Sequence, residues 1–119
     1  MKENKLAELS MEFSVDIINL VKHLKSNHES IISNQIGRSG TSIGANIYEA
    51  QYAQGKKDFV SKLEIALKEC SESEYWLELL HESNYINEKE FNSIYADCQE
   101  LIKILMSITK TQNNPKENS

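Results

Sequence analysis

Turn-forming residues are scarce: one Pro and four Gly in 119 residues are too few for the many tight turns of an all-β fold. Positive charge is equally thin. Arg38 is the single arginine, and the formal charge of -5 lacks the basic excess that usually accompanies nucleic-acid binding. The two cysteines, Cys70 and Cys98, stand far apart and show no metal-ligand spacing. No apolar run approaches the roughly 20 residues that a membrane span requires. The stretch from Met1 to Ser10 is too charged for a signal peptide, so a reducing, cytoplasmic setting is the expectation. A zinc His-Glu-x-x-His motif, a phosphate-binding glycine loop and a serine nucleophile elbow are all missing, and a non-enzymatic chain without a cofactor is expected.

What the chain does contain is helical periodicity, over four segments. The first, about 4–26, sets Leu6, Leu9, Phe13, Ile17, Leu20, Val21 and Leu24 on one stripe. Asn27 reads as a break and N-cap before a second segment, about 28–53, with Ile32, Ile36, Ile43 and Ile47 on one face. Gly37, Gly40 and Gly44 lie inside it, each costing about 1 kcal/mol relative to Ala. Either the helix breaks there, or the glycines form a narrow groove that a neighbouring backbone approaches closely; the groove is the preferred reading. Gly55, Lys56 and Lys57 mark the next break. The third segment, about 58–83, keeps a heptad alternation through Phe59, Leu63, Ala66, Cys70, Ser73, Leu77 and Leu80. Asn87 and Glu90 have the spacing of a capping box that opens the fourth, about 87–110, with Phe91, Ile94, Cys98, Leu101, Leu105 and Ile108. Residues 111–119 have the composition of a disordered polar tail. One all-α domain over 1–110, an up-down-up-down antiparallel four-helix bundle, is the simplest closure of such segments.

Side-chain chemistry is sparse. Glu78 and His81 form one Glu-x-x-His spacing, but a di-metal bundle needs two, so a solvated helix face is the favoured reading and no metal is expected. Cys70 and Cys98 fall on core positions, where a thiol packs as a small apolar group. Tyr75 and Trp76 interrupt an acidic exterior, so they are candidates for an oligomer contact, or they cover the rim of the core. Arg38, Lys56, Lys57 and Lys62, close in sequence to Tyr48 and Tyr52, are candidate phosphate contacts, with a solvated helix end as the alternative. Arg38, Ser42, Asn46 and Glu49 recur at spacings of four, four and three, which places them along one helix face as a polar network or a partner contact.

The run Arg38-Ser39-Gly40-Thr41-Ser42-Ile43-Gly44-Ala45-Asn46-Ile47-Tyr48-Glu49-Ala50 resembles the signature of a bacterial four-helix bundle family named for proteins encoded in intervening sequences of large-subunit ribosomal RNA genes. The family pattern reads Arg-Ser-x-x-Ser-Ile-x-x-Asn-Ile-Ala-Glu-Gly. Lys57-Asp58-Phe59-Val60, Leu63-Glu64-Ile65-Ala66 and Asn84-Tyr85-Ile86 fit its later parts, so the resemblance spans about Leu6 to Ile108. Tyr48 stands where the family commonly has Ala, and Ala50 where it commonly has Gly. The resemblance implies a homopentamer of bundles and supports a helical reading of the glycine-bearing segment. It assigns no biochemical role. The leading reading is a self-associating scaffold or adaptor that recruits RNA or a protein. The alternative, through a related branch, is an RNA-binding accessory protein like those of diversity-generating retroelements, which contact a reverse transcriptase.

Overall fold

The computed structural model describes residues 2–113, with side chains from Lys5 onward. Four α-helices, and no strand, occur among the described residues: α1 (Lys2–Ser26), α2 (Ile31–Ala50), α3 (Lys56–Glu82) and α4 (Glu88–Asn113). α1 packs against α2 and α4, and α3 packs against the same two helices from the other side. The core runs the length of the molecule between them. Leu6, Phe13, Ile17 and Leu24 enter it from α1, and Ile36, Ile43 and Ile47 from α2. Leu63, Ala66, Cys70, Leu77 and Leu80 come from α3, and Ile94, Cys98, Leu101, Leu105 and Ile108 from α4. Each fully buried Leu, Ile or Phe contributes about 1.5–3 kcal/mol by leaving water. Of the expected core, Leu9, Leu20, Val21, Ile32, Phe59 and Phe91 are half-buried at its rim.

α1 opens at Lys2 rather than 4 and α3 at Lys56 rather than 58, which puts Lys56 and Lys57 in the first turn of α3 and not in the break before it; larger departures occur at both ends of α2 and at the end of α4. α2 begins at Ile31 rather than 28, and Asn27 is not its cap. Instead α1 closes in a Schellman turn: the Glu29 N–H donates to Leu24 O (2.9 Å), the His28 N–H to Lys25 O (3.1 Å), and His28 takes the left-handed conformation at φ +64°. Glu29 then caps α2. Its buried carboxylate accepts the N–H groups of Ile31 (3.1 Å), Ile32 (3.0 Å) and Ser33 (2.7 Å). Three orphan donors and the positive end of the helix dipole thus meet one anion. Glutamate seldom serves as a cap, which is why the sequence points to Asn27.

α2 ends at Ala50 rather than 53, where the last turn tightens as Gln51 N–H reaches Tyr48 O (3.2 Å) and Tyr52 N–H reaches Glu49 O (3.0 Å). The chain leaves in a right-handed conformation (Gln51 φ -65°), so alanine suffices where the family pattern has glycine. The left-handed residue falls later, at Gly55 with φ +143°. The capping box forms as its spacing predicts: Glu90 N–H donates to Asn87 Oδ1 (2.8 Å), and Asn87 N–H to Glu90 Oε1 (3.1 Å). α4 continues through Asn113, so 111–113 of the expected tail are helical; the remainder of that tail lies outside the described residues.

Candidate functional site

The glycine-bearing segment is one uninterrupted helix, and its glycines face α1. A Cβ at Gly40 would stand 2.8 Å from Ile17 Cγ1, one at Gly44 would stand 2.9 Å from Ser14 Oγ, and one at Gly37 would stand 3.3 Å from Val21 Cγ2. Side chains of α1 therefore occupy the space that side chains of α2 would have filled. Close approach of the two helices offsets the weak helix propensity of glycine.

The opposite edge of α2 faces α3, and there the four residues of the polar series separate into two kinds. Arg38 and Glu49 reach across to α3. The Arg38 guanidinium donates to Glu69 Oε2 (3.1 Å) and to the Glu72 carboxylate, while Glu49 pairs with Lys62 (3.1 Å). Ser42 and Asn46 stay on their own helix: Ser42 Oγ donates to Arg38 O (2.7 Å) and Asn46 Nδ2 to Ser42 O (2.8 Å). No side chain of the series bonds another directly among these contacts, so the series is a helix-pairing edge and not a closed network. Next to the Arg38 ion pairs lies a fully buried hydroxyl contact, Ser39 Oγ to Ser73 Oγ at 2.8 Å. It satisfies both hydroxyls inside an otherwise apolar layer.

These pairings divide the candidate phosphate contacts. Arg38 is held by two carboxylates and Lys62 by one. Lys56 and Lys57 are exposed at the start of α3, whereas Glu69, the Arg38 partner, lies twelve residues further on, about 18 Å along the helix. The structure therefore brings Lys56 and Lys57 together and leaves Arg38 apart from them. Tyr48 and Tyr52 are both exposed near the end of α2, with ring centroids 5.4 Å apart.

Tyr75 is exposed, and its ring stands edge-on to Trp76 at 5.0 Å. Trp76 is half-buried against the core, and its indole N–H donates to Glu72 Oε2 (2.9 Å). Glu72 thus joins Arg38 and Trp76, which accounts for the tryptophan as a cover over the α2–α3 seam. Glu78 accepts the Tyr95 hydroxyl (2.8 Å), and His81 stacks on Phe91 at 4.4 Å. Burial, followed by the Glu78 contact, pushes the Tyr95 phenol up to about 12. Among the described residues no three His, Cys, Asp or Glu side chains gather as metal ligands. Cys70 and Cys98 are fully buried, with Cys98 Sγ 3.5 Å from Cys70 O. The side-chain hydrogen bond in which the Cys70 thiol keeps its proton toward Cys98, followed by burial, pushes that thiol far up, away from the nucleophilic thiolate.

Sequence reasoning missed three features. Glu29 is hidden because glutamate is an unusual cap, and Ser39, the partner of the heptad residue Ser73, because serine carries no apolar signal. The third is an exposed apolar stripe on α1, Met11, Val15 and Ile18, with Tyr48 of α2 across the groove from Met11. The spacing of four and three between Met11, Val15 and Ile18 is the signal that would have found it. Beside the stripe, a cleft of ≈ 420 Å³ opens over Gly44, lined by Ala7, Met11, Ser14, Ala45 and Tyr48.

Comparison with known proteins places this architecture. The chain is similar to a protein with unknown function from the S23 ribosomal protein family of Bacteroides thetaiotaomicron VPI-5482, with 53% sequence identity and a TM-score of 0.91. The match covers 93% of this chain and 100% of that one. No curated protein matches. The profile of the 23S rRNA-intervening sequence protein matches residues 2–107, which takes in all of α1 to α3 and most of α4. The chain belongs to the 23S rRNA-intervening sequence protein family.

Proposed function

We propose that this protein is a non-enzymatic, self-associating scaffold or adaptor, built as an up-down-up-down bundle and assembling as the homopentamer that the family resemblance implies. The observation that carries the reading is the exposed apolar stripe Met11, Val15 and Ile18 of α1, with Tyr48 of α2 exposed across the cleft from Met11. Contiguous exposed apolar surface of this kind marks a contact with another macromolecule. The signature residues support a structural role for α2, because Arg38, Glu49 and Ser39 are engaged with α3 and the glycines with α1.

Contact order along the helices supports the topology. Gly37, Gly40 and Gly44 of α2 meet Val21, Ile17 and Ser14 of α1, so partner numbers fall as residue numbers rise. The same inversion relates Ser39 and Glu49 to Ser73 and Lys62, and Cys70 and His81 to Cys98 and Phe91. Two free, buried thiols suit a reducing cytoplasm, and no described helix is long and apolar enough to cross a membrane. Light scattering on the full chain at micromolar concentration tests the assembly: a mass several times 13.6 kDa is expected, and a monomer would end the reading.

One observation favours the RNA-binding alternative. The exposed Tyr48–Tyr52 pair, close in sequence to exposed Lys56 and Lys57, offers stacking surface and phosphate contacts. With only those two lysines of the cluster outside the ion pairs among the described residues, the dependence of binding on salt is expected to be shallow, with a log–log slope of about -1 to -2. Titration of single-stranded RNA at two salt concentrations decides it, and no binding at low salt would remove this alternative.

A further inference from the structure

The seam between α1 and α4 is the most loosely closed of the four, and a cleft of ≈ 360 Å³ opens along it. That size falls in the range of about 300–1,000 Å³ in which proteins hold small molecules. The cleft is apolar at Leu20 of α1 and at Ile86 and Ile94, both buried. Its other lining is polar: Asp16, Asn19 and His23 from α1, Glu90 and Ser93 from α4. At 100° per residue, Asp16 and His23 sit about 120° around α1 from the centre of the Met11, Val15 and Ile18 stripe. The cleft is therefore a separate surface, and what it binds does not depend on self-association.

Along this seam partner numbers fall as residue numbers rise. Lys5 pairs with Glu100 (4.0 Å), Asp16 acts electrostatically on Asp97, and His23 shares the cleft with Glu90. Negative charge thus stands at two places. Asp16 and Asp97 mark the first, close enough that Asp16 adds to burial in raising the Asp97 pKa. Glu90 marks the second, seven residues from Asp97 and so about 10.5 Å away along α4. Among the described residues the ion pairs are Lys5–Glu100, Arg38–Glu69, Arg38–Glu72 and Lys62–Glu49, so Asp16, Glu90 and Asp97 have no cation within 4 Å. Leu20 and Ile94 lie between the two charged places in the sequence of each helix, and so do the neutral acceptors Asn19 and Ser93. Two separated anionic ends with apolar surface between them complement a long, thin organic cation charged at both ends, and not a compact ion.

We propose that the α1–α4 cleft binds a linear aliphatic polyamine of spermidine length, with one terminal ammonium at Asp16 and Asp97, the other at Glu90, and the methylene chain over Leu20 and Ile94. Extended aliphatic chain advances about 1.25 Å per bond, so the nine bonds between the terminal nitrogens of spermidine span about 11 Å. The central ammonium then falls beside Asn19 and Ser93, whose side-chain oxygens accept its hydrogen bonds. A lysine side chain of a protein carries one ammonium and cannot meet both ends.

Isothermal titration calorimetry on the full chain tests this, at an ionic strength of about 0.15 M to screen the diffuse attraction of a chain of net charge -5 for any cation. Spermidine should bind saturably, one per chain. 1,8-Diaminooctane, with the same span and no central nitrogen, should bind more weakly than spermidine, and putrescine, about 6 Å long, at least tenfold more weakly. Asp16→Asn should weaken spermidine about tenfold, as should Glu90→Gln, in which the amide oxygen keeps the capping acceptor. Glu64→Gln, an exposed acid on α3, should leave binding unchanged, with circular dichroism the same in all three variants. No saturable binding of spermidine, putrescine binding as tightly as spermidine, or an equal loss in Glu64→Gln overturns the proposal. Stoichiometry is counted per chain, so a monomeric wild type would end the self-association reading and leave this one standing.

Discussion

Replacing Gly40 by alanine sets two effects of known sign against each other. Alanine gains about 1 kcal/mol over glycine in a helix interior. At this position, however, the new methyl would stand 2.8 Å from Ile17 Cγ1 and 3.0 Å from both Cδ1 and Cγ2, and Ile17 is fully buried. All three crowded atoms belong to one β-branched side chain with no free rotamer to move into, so α1 must shift away from α2. Overpacking of a filled core costs about 1–3 kcal/mol, and the upper half of that range applies here. The net expectation is a loss of about 1–2 kcal/mol, or a fall in melting temperature of about 3–8 °C for a domain of this size. Gly37→Ala is the internal control. Its methyl meets a single atom, Val21 Cγ2 at 3.3 Å, on a half-buried side chain that can yield, so the propensity gain survives and stability is unchanged or raised. Urea unfolding followed by circular dichroism at a fixed protein concentration measures both. A Gly40→Ala protein at least as stable as the wild type, or equal losses for the two variants, would refute the claim that the glycines serve the α1–α2 approach.

The remaining predictions concern the polar and titratable groups of the interior. Ser39→Ala or Ser73→Ala alone strands a buried hydroxyl and should cost about 1–2 kcal/mol, whereas the double variant should cost less than the sum, a coupling that a double-mutant cycle reads. Asp97 has its pKa raised by burial and then by Asp16, so the folded state holds its proton more tightly than the unfolded chain. Its contribution is complete below the ordinary Asp range, near about 4, and is lost as pH rises through the raised value. Asp97→Asn should therefore stabilise the protein near neutral pH, and the advantage should vanish in acid, as urea midpoints at the two pH values will show. Cys70 and Cys98, buried, should resist a thiol reagent in the native protein and both react in denaturant; rapid native labelling would contradict their place in the core.

Much of this architecture was legible because helix packing writes itself into spacing. The stripes through Phe13, Ile43, Leu77 and Leu101 repeat at intervals that admit one buried face, and the structure buries each of them. Asn87 and Glu90 were legible for a similar reason, since a capping box needs two residue types at one separation. Glu29 was not, because its capping role arises from burial beside three N–H groups and not from its residue type. The partners of Arg38 were hidden as well. Glu69 and Glu72 lie more than thirty residues away, and only the register of α2 on α3 selects them from the many acids of that helix. Among the described residues the sequence cluster of cations separates into an exposed pair, Lys56 and Lys57, and two groups committed to ion pairs, Arg38 and Lys62.

Sedimentation velocity of the wild type beside a triple variant, Met11→Gln, Val15→Gln and Ile18→Gln, tests the central claim that this bundle acts by binding copies of itself through its exposed apolar face. Glutamine is a good helix former, so the fold should be retained while the apolar stripe is removed. The wild type should sediment as a defined assembly of 13.6 kDa chains and the triple variant should dissociate, with unchanged helix content. A monomeric wild type, or a triple variant of undiminished mass, would contradict it.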